Sequence, residues 1–129
     1  MRVSRIDHIV LTVSDMEAAV RFYHELFDMP VLKQESDDQV TTLRCGHQLI
    51  KLQLADRDAL KAAKPLAGTA DLCIVVKDHM DDIKNHMLSY YVDIVAGPVK
   101  KIGAEGEMTS LYIRDLDQNL IEVSTYKNK

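Results

Sequence analysis

Two similar stretches decide the fold predicted for this chain: Asp7-His-Ile-Val-Leu-Thr-Val-Ser-Asp15 and Ala70-Asp-Leu-Cys-Ile-Val-Val-Lys-Asp78. Each is an apolar run rich in β-branched residues that leads into a helical pattern, so each predicts a strand followed by a helix. One polar residue stands at the head of each run, His8 in the first and Asp71 in the second. A duplicated half-domain builds a cleft in which polar groups from equivalent strands meet.

The length of the chain bounds its domain organisation. With 129 residues it has the usual size of one domain. We therefore expect a single domain over residues 1–129, made of two modules at about 1–55 and 68–129. Pro65 and Gly68 mark the connection between them, near 56–67.

Charge and composition argue against several classes of protein. The net charge is −4 and the 16 Lys and Arg residues are scattered, which disfavours nucleic acid as a partner and leaves a small molecule. No apolar run approaches the roughly 18 residues of a spanning helix, and no secretory signal is recognisable. We expect no membrane span, a cytoplasmic location, and reduced, mostly buried thiols at Cys45 and Cys73.

Both halves predict the same order of elements, βαβββ. In the first half, a helix should begin near Ser14 or Asp15 and end before Pro30, and Gly46 should turn a hairpin between strands over 39–44 and 49–54. In the second half we expect a strand over 71–76, a helix over 79–90, a strand over 92–96, a turn at Gly97-Pro98, a loop or irregular hairpin over 99–107, and strands over 108–113 and 120–125. Alternation along the second hairpin strand puts His47, Lys51 and Gln53 on one face, as candidate cleft residues.

These motifs together resemble the vicinal oxygen chelate superfamily of glyoxalases, bleomycin-resistance proteins and extradiol dioxygenases. The opening Ile6-Asp-His-Ile-Val-Leu-Thr-Val13 and the closing Arg114-Asp-Leu-Asp-Gln-Asn-Leu-Ile-Glu-Val123 are similar to the two ends of such a domain. More narrowly, Gly68-Thr-Ala-Asp-Leu-Cys73 and Gly97-Pro-Val-Lys100 resemble a small glyoxalase-like group that includes a bacterial virulence-associated protein. The resemblance implies an α+β fold of paired βαβββ modules that form a cleft, and a homodimer.

The resemblance also implies a set of site residues. The metal-dependent members take ligands from four equivalent strand positions, which map onto His8, Lys51, Asp71 and Glu122. His8 and Glu122 are of suitable type for nickel, zinc, manganese or iron(II), while Asp71 stands where the family often has His. Lys51 departs from the pattern because a protonated ammonium has no lone pair.

Two functions follow as hypotheses. The first is a glyoxalase-like enzyme, close to a lactoylglutathione lyase, with a divalent metal on His8, Asp71 and Glu122, and with Glu122 and Asp71 as catalytic residues. The second is a metal-free module of the bleomycin-resistance type, in which Lys51 pairs with Asp71 or Glu122. Extradiol dioxygenase chemistry is a further alternative that Asp71 weakens, since that branch has a second histidine there. Considered alone, His8 is more often structural and Glu122 more often faces water.

Overall fold

The computed structural model describes residues 1–34 and 39–127, and the chain divides into two compact units, Met1–Gly68 and Thr69–Lys129. Each unit contains one βαβββ module, so the element order predicted from the sequence is confirmed. We describe each unit by itself. That the two modules form one domain stays a prediction.

The first unit is a four-stranded sheet with one helix. Its strands stand in the order β1-β4-β3-β2, with β1 parallel to β4 and the other neighbours antiparallel. Gly46, at φ 61°, turns the predicted hairpin between β3 and β4. The elements are β1 (His8–Val13), α1 (Met16–Phe27), β2 (Val31–Gln34), β3 (Val40–Cys45) and β4 (Gln48–Leu54).

Helix α1 begins where the sequence predicts. Asp15 is the N-cap residue, and its carboxylate accepts a hydrogen bond from the Ala18 amide at 3.0 Å. Asp28 ends the helix in the left-handed conformation, two residues before Pro30. The buried positions of the helix are Ala19, Tyr23 and Leu26. Their helical spacing puts them on one face of α1, which is its core face.

The second unit repeats this arrangement. Its strands stand in the order β5-β8-β7-β6, with β5 parallel to β8, and Ile83 and Met87 are the buried residues of its helix. Neither helix of the described residues is long and apolar enough to cross a membrane. The elements are β5 (Asp71–Val75), α2 (Met80–Ser89), β6 (Ala96–Gly103), β7 (Gly106–Arg114) and β8 (Leu120–Tyr126).

The second half departs from the sequence prediction at β6. The strand expected over 92–96 begins only at Ala96, and the expected loop or irregular hairpin over 99–107 is instead a tight hairpin in which Gly103 pairs with Gly106. Pro98 is tolerated inside β6 because this is an edge strand, where a missing N–H breaks no central ladder. A Cβ on Gly97 would lie 2.6 Å from the Ser110 carbonyl oxygen, so only glycine allows β6 to approach β7 there.

A buried polar turn joins β7 to β8. Both oxygens of the Asp115 carboxylate accept hydrogen bonds from Asn119, one from its backbone N–H at 2.9 Å and one from its side-chain amide at 2.8 Å. The Asn119 side-chain oxygen Oδ1 in turn accepts a hydrogen bond from the Ala70 N–H at 2.8 Å. Asp115 and Asn119 are 4% and 1% exposed, so water cannot replace these bonds. The turn therefore fixes the start of β5 beside β8.

We predict that Asn119→Ala destabilises the protein by about 2–4 kcal/mol. The change leaves the Ala70 amide without its acceptor, at roughly 1–3 kcal/mol, and removes one hydrogen bond to Asp115, at roughly 0.5–1.5 kcal/mol. Urea denaturation followed by circular dichroism measures the loss. Asn85→Ala, at an exposed position of α2, is the matched control and should change stability by less than about 0.5 kcal/mol. Equal stability of the two variants would contradict the role given to this turn.

Candidate functional site

The two units place the predicted site residues at corresponding positions. In the first unit His8 is the partner of Leu49 across the parallel pair β1–β4, and in the second unit Asp71 is the partner of Leu120 across β5–β8. Equivalent backbone bonds accompany these pairs: Leu49 donates to the Asp7 carbonyl and Leu120 to the Ala70 carbonyl, both at 3.1 Å. His8 and Asp71 are therefore structural equivalents.

The same register makes Lys51 the equivalent of Glu122. Lys51 pairs with Val10 on β1 and Thr42 on β3, while Glu122 pairs with Cys73 on β5 and Tyr112 on β7. Each is two residues beyond the leucine that pairs with His8 or Asp71. One duplicated strand position thus carries an ammonium in the first unit and a carboxylate in the second.

His8 is held by the residue that precedes it. Its Nδ1 lies 2.8 Å from Oδ2 of Asp7, and an ionised carboxylate only accepts, so Nδ1 carries the proton and donates. This hydrogen bond is the main cause that holds the pKa of the Asp7 carboxyl below its ordinary value, with smaller effects from the charges of His8, Arg5 and Lys51. In the neutral imidazole the lone pair is then on Nε2, the nitrogen that does not contact Asp7.

The other first-unit candidates differ in what they contact. Lys51 is half-buried and shares the face of the sheet that carries His8. Gln53 is on the same face but is 4% exposed, and its amide donates to Thr12 Oγ1 at 3.1 Å and accepts from Arg57 at 3.3 Å. Its polar atoms are thus engaged in supporting the sheet. His47 is exposed at the turn between β3 and β4.

Glu122 lies in a network of hydroxyl groups. Its Oε2 accepts a hydrogen bond from Ser110 Oγ at 2.7 Å, with Ser124 Oγ at 3.3 Å. The two serine hydroxyls are 2.6 Å apart and both residues are 0% exposed. Ser124 Oγ also lies 3.2 Å from the Cys73 sulfur. Because buried hydroxyls with fixed partners have little freedom to rotate, the network fixes the orientation of this carboxylate.

Register shows which face of the second sheet carries Glu122. Cys73, Glu122 and Tyr112 form one row across β5, β8 and β7, so their side chains point to the same side. Ile121 and Val123 point the opposite way and are 0% and 1% exposed. The face defined by Asp71, Cys73, Tyr112 and Glu122 is called the carboxylate face below. Asp71 belongs to it because it precedes Cys73 by two residues and side chains alternate along a strand.

Two neighbours of Glu122 keep their protons. Desolvation is the largest cause that raises the pKa of the Tyr112 hydroxyl, and the Glu122 charge and the hydrogen bond to Glu122 raise it further. Partial burial raises the pKa of the Cys73 thiol, which the Glu122 charge reinforces and the Ser124 contact opposes. Tyr112 is therefore a neutral donor at pH 7.

The exposure of the two thiols differs from the sequence prediction. The expectation that both are mostly buried is wrong for Cys73, which is exposed, while Cys45 is half-buried.

Sequence reasoning missed three residues of this face: Ser110, Tyr112 and Ser124. A usable signal was present, since Ser110 and Tyr112 alternate with Leu111 and Ile113 in the same way that Glu122 alternates with its apolar neighbours. Serine and tyrosine on a strand are also common on solvated faces, so this alternation alone does not assign them to a site.

The donor set fits a metal in part. Nε2 of a neutral His8 and the oriented Glu122 carboxylate are suitable ligands, whereas the Lys51 ammonium is not. Over residues 1–34 and 39–127, no group of three His, Cys, Asp or Glu side chains is arranged to hold a metal ion. Metal binding by His8, Asp71 and Glu122 therefore stays a proposal.

Comparison with known proteins agrees with this architecture. Residues 5–123 match the family model of the Glyoxalase/Bleomycin resistance protein/Dioxygenase superfamily. The chain is 40% identical over 127 residues to virulence protein STM3117 of Salmonella typhimurium, covering 98% of this chain and 87% of that protein. The crystal structure of STM3117 superposes with a TM-score of 0.91 over 98% of this chain and 100% of that one.

Two further relatives differ more in sequence. The glyoxalase domain-containing protein RDO1 of Mycosarcoma maydis is 36% identical over 129 residues, covering 99% of this chain and 72% of its own length. The metallothiol transferase FosB of Shouchella clausii is 28% identical over 127 residues, covering 95% of this chain and 81% of its own length. Because the family model matches residues 5–123, which are most of the chain, the chain belongs to the Glyoxalase/Bleomycin resistance protein/Dioxygenase superfamily.

Proposed function

We propose that this protein is a glyoxalase-like metalloenzyme that acts on a small substrate with two adjacent oxygens. His8 and Glu122 hold a divalent ion, of nickel, zinc, manganese or iron(II), and Asp71 is a third ligand or a base. The observation that carries the proposal is the contact between Asp7 and His8, in which Oδ2 of Asp7 lies 2.8 Å from Nδ1 of His8. His8 is an exposed histidine at the family's first ligand position.

The Asp7–His8 contact has the form of the outer-shell support that metal-binding histidines receive. A carboxylate that accepts the proton of one ring nitrogen fixes the tautomer and makes the other nitrogen a better ligand. The hydroxyls of Ser110 and Ser124 give Glu122 similar support. A purely structural histidine would more often be buried, whereas the His8 side chain is 39% exposed.

A bound divalent ion would polarise the substrate oxygens and stabilise the negative charge that develops on them. The remaining roles belong to side chains of this chain. The Tyr112 hydroxyl donates its one hydrogen to Glu122 and so helps to orient that carboxylate. Asp71, exposed on the carboxylate face, is available to accept a proton. Lys51 stays outside the ligand set and supplies a positive charge for a substrate oxyanion.

The named reactions that come nearest are lyase and isomerase steps of the lactoylglutathione lyase type. The relative FosB is named a metallothiol transferase, which supports metal chemistry on a chain of this kind. An extradiol dioxygenase reaction receives less support, because Asp71 stands in place of a second histidine. We also propose that the protein forms a homodimer and is located in the cytoplasm.

A second candidate is a metal-free module that binds a small molecule. It is favoured by the ammonium of Lys51 at the position equivalent to Glu122, since a positive charge there repels a divalent ion. In that case the carboxylate face and Lys51 would contact the ligand directly.

We expect the protein, purified without added metal, to bind one divalent ion per chain in calorimetric titrations with nickel, manganese, zinc and iron(II). His8→Ala and Glu122→Ala should abolish measurable binding, since each removes a ligand. Asp7→Asn should weaken binding by about 10–100-fold, as loss of outer-shell support does. His47→Ala removes an exposed histidine outside the proposed ligand set and is the matched control. Unchanged binding by the His8 and Glu122 variants would contradict the ligand assignment.

Substitution at Lys51 separates the two candidate functions. For the metalloenzyme we expect Lys51→Gln to bind the same metal equally or more tightly, because a repelling charge is lost. Calorimetry with the wild type in parallel is the measurement. If only Lys51→Glu binds metal and the wild type does not, the metal-free module is the correct function.

We expect the pKa of the Tyr112 hydroxyl to fall toward its ordinary value of about 10 in Glu122→Gln, since a neighbouring negative charge is removed. NMR titration of protein labelled at the tyrosine ring carbon is the measurement, with Glu107→Gln as control. Because the folded-state pKa is raised, the stabilisation linked to this proton is complete below about pH 10 and is lost as pH rises through the folded-state value. Tyr112→Phe should remove that alkaline loss, and a titration unchanged by Glu122→Gln would contradict the contact.

A further inference from the structure

The second unit contains a cavity of about 650 Å³ away from the carboxylate face. Its polar wall is a row of residues across three strands, in which Lys100 of β6 pairs with Thr109 of β7 and Thr109 pairs with Thr125 of β8. Residues that pair directly have their side chains on the same side of a sheet. Because side chains alternate along a strand, this row lies on the side opposite to Tyr112 and Glu122. The cavity volume falls within the usual range of small-molecule sites, roughly 300–1,000 Å³.

The lining of the cavity is cationic although the chain is acidic overall. Lys77, Lys100 and Lys127 all line it, and of the described residues that do so Glu107 alone is acidic. Glu107 Oε1 lies 3.1 Å from Lys100 Nζ, so these two charges balance each other. Among the described residues, no carboxylate pairs with Lys77 or Lys127. Within residues 1–34 and 39–127, two of the lysines that line the cavity therefore have no ion-pair partner, in a chain whose net charge is −4.

The beginning of helix α2 adds donors to the same cavity. His79 and Met80, the N-cap and first residue of the helix, both line it. Within the described residues His79 makes no side-chain cap hydrogen bond, so the first N–H groups of α2 are available, and a helix N-terminus favours negative charge. The acidic residues of the first turn, Asp81 and Asp82, are not part of the lining.

Apolar groups complete the wall. Met80 lines the cavity beside the charged residues, and its flexible side chain adapts readily to the shape of a ligand. The lining thus combines two ammonium groups that form no ion pair with a described residue, two threonine hydroxyls and an apolar surface. We propose that this cavity binds a small phosphomonoester, with its dianionic phosphate at Lys77, Lys127 and the threonine hydroxyls and its organic part against Met80. The two negative charges of the phosphate match the two lysine charges, and its oxygens accept hydrogen bonds from the ammonium and hydroxyl groups.

The proposal is tested by NMR titration of the whole chain, labelled with ¹⁵N, with phenyl phosphate as the probe. We expect saturable shifts at the amides of Met80, Thr109 and Thr125, which line the cavity, and not at Tyr112 and Glu122 on the carboxylate face. Phenol, which lacks the phosphate, should cause no saturable shift. Saturable shifts confined to the carboxylate face would overturn the proposal.

Charge-removing variants show whether the binding is specific. Lys77→Gln and Lys127→Gln should each weaken phenyl phosphate binding by about fivefold, the effect of losing one exposed ion pair. Lys101→Gln is the matched control, because Lys101 adjoins Lys100 on β6 and points to the opposite side of the sheet. The three lysines are exposed, so all three variants should fold. Equal weakening by Lys101→Gln would mean unspecific attraction of anions and would overturn the proposal.

Discussion

Parallel pairing of the first and last strands of each module is the constraint on which the rest of each unit depends. Parallel neighbours cannot be joined by a tight turn, so the helix and the two remaining strands must lie between them in the chain. In the first unit this pair is β1–β4 and in the second it is β5–β8. The backbone bonds Leu49 to Asp7 and Leu120 to Ala70 show that both modules use the same register.

The repeated register shows which positions of the two units are equivalent, and at these positions the residue types differ. One strand position carries His8 in the first unit and Asp71 in the second, and another carries Lys51 and Glu122. Duplication thus conserves the position of a side chain on the sheet, while its chemistry is free to change. The supporting contacts diverge too: His8 is supported by its chain neighbour Asp7, whereas Glu122 is supported by serines from β7 and β8.

The second sheet has different chemistry on its two sides. The carboxylate face presents Asp71, Glu122 and the neutral Tyr112, while the row of Lys100, Thr109 and Thr125 on the other side belongs to a cationic cavity. Strict alternation along β7 and β8 separates the two, because neighbouring residues of a strand point to opposite sides. The two sides of a single sheet can therefore carry groups of opposite charge.

The sequence by itself determined the element order, the helix start at Asp15, the hairpin turn at Gly46 and the strand positions of His8, Lys51, Asp71 and Glu122. Periodicity, capping and turn chemistry are local, so they are readable from neighbouring residues. It did not determine the β6 hairpin, since whether Gly97 and Pro98 form a turn or an edge strand depends on β7 beside them. Nor did it reveal the hydrogen bonds of Ser110 and Ser124 to Glu122 or the gathering of three lysines around one cavity. Those contacts join residues from different elements, and only strand register and helix placement in the tertiary structure bring them together.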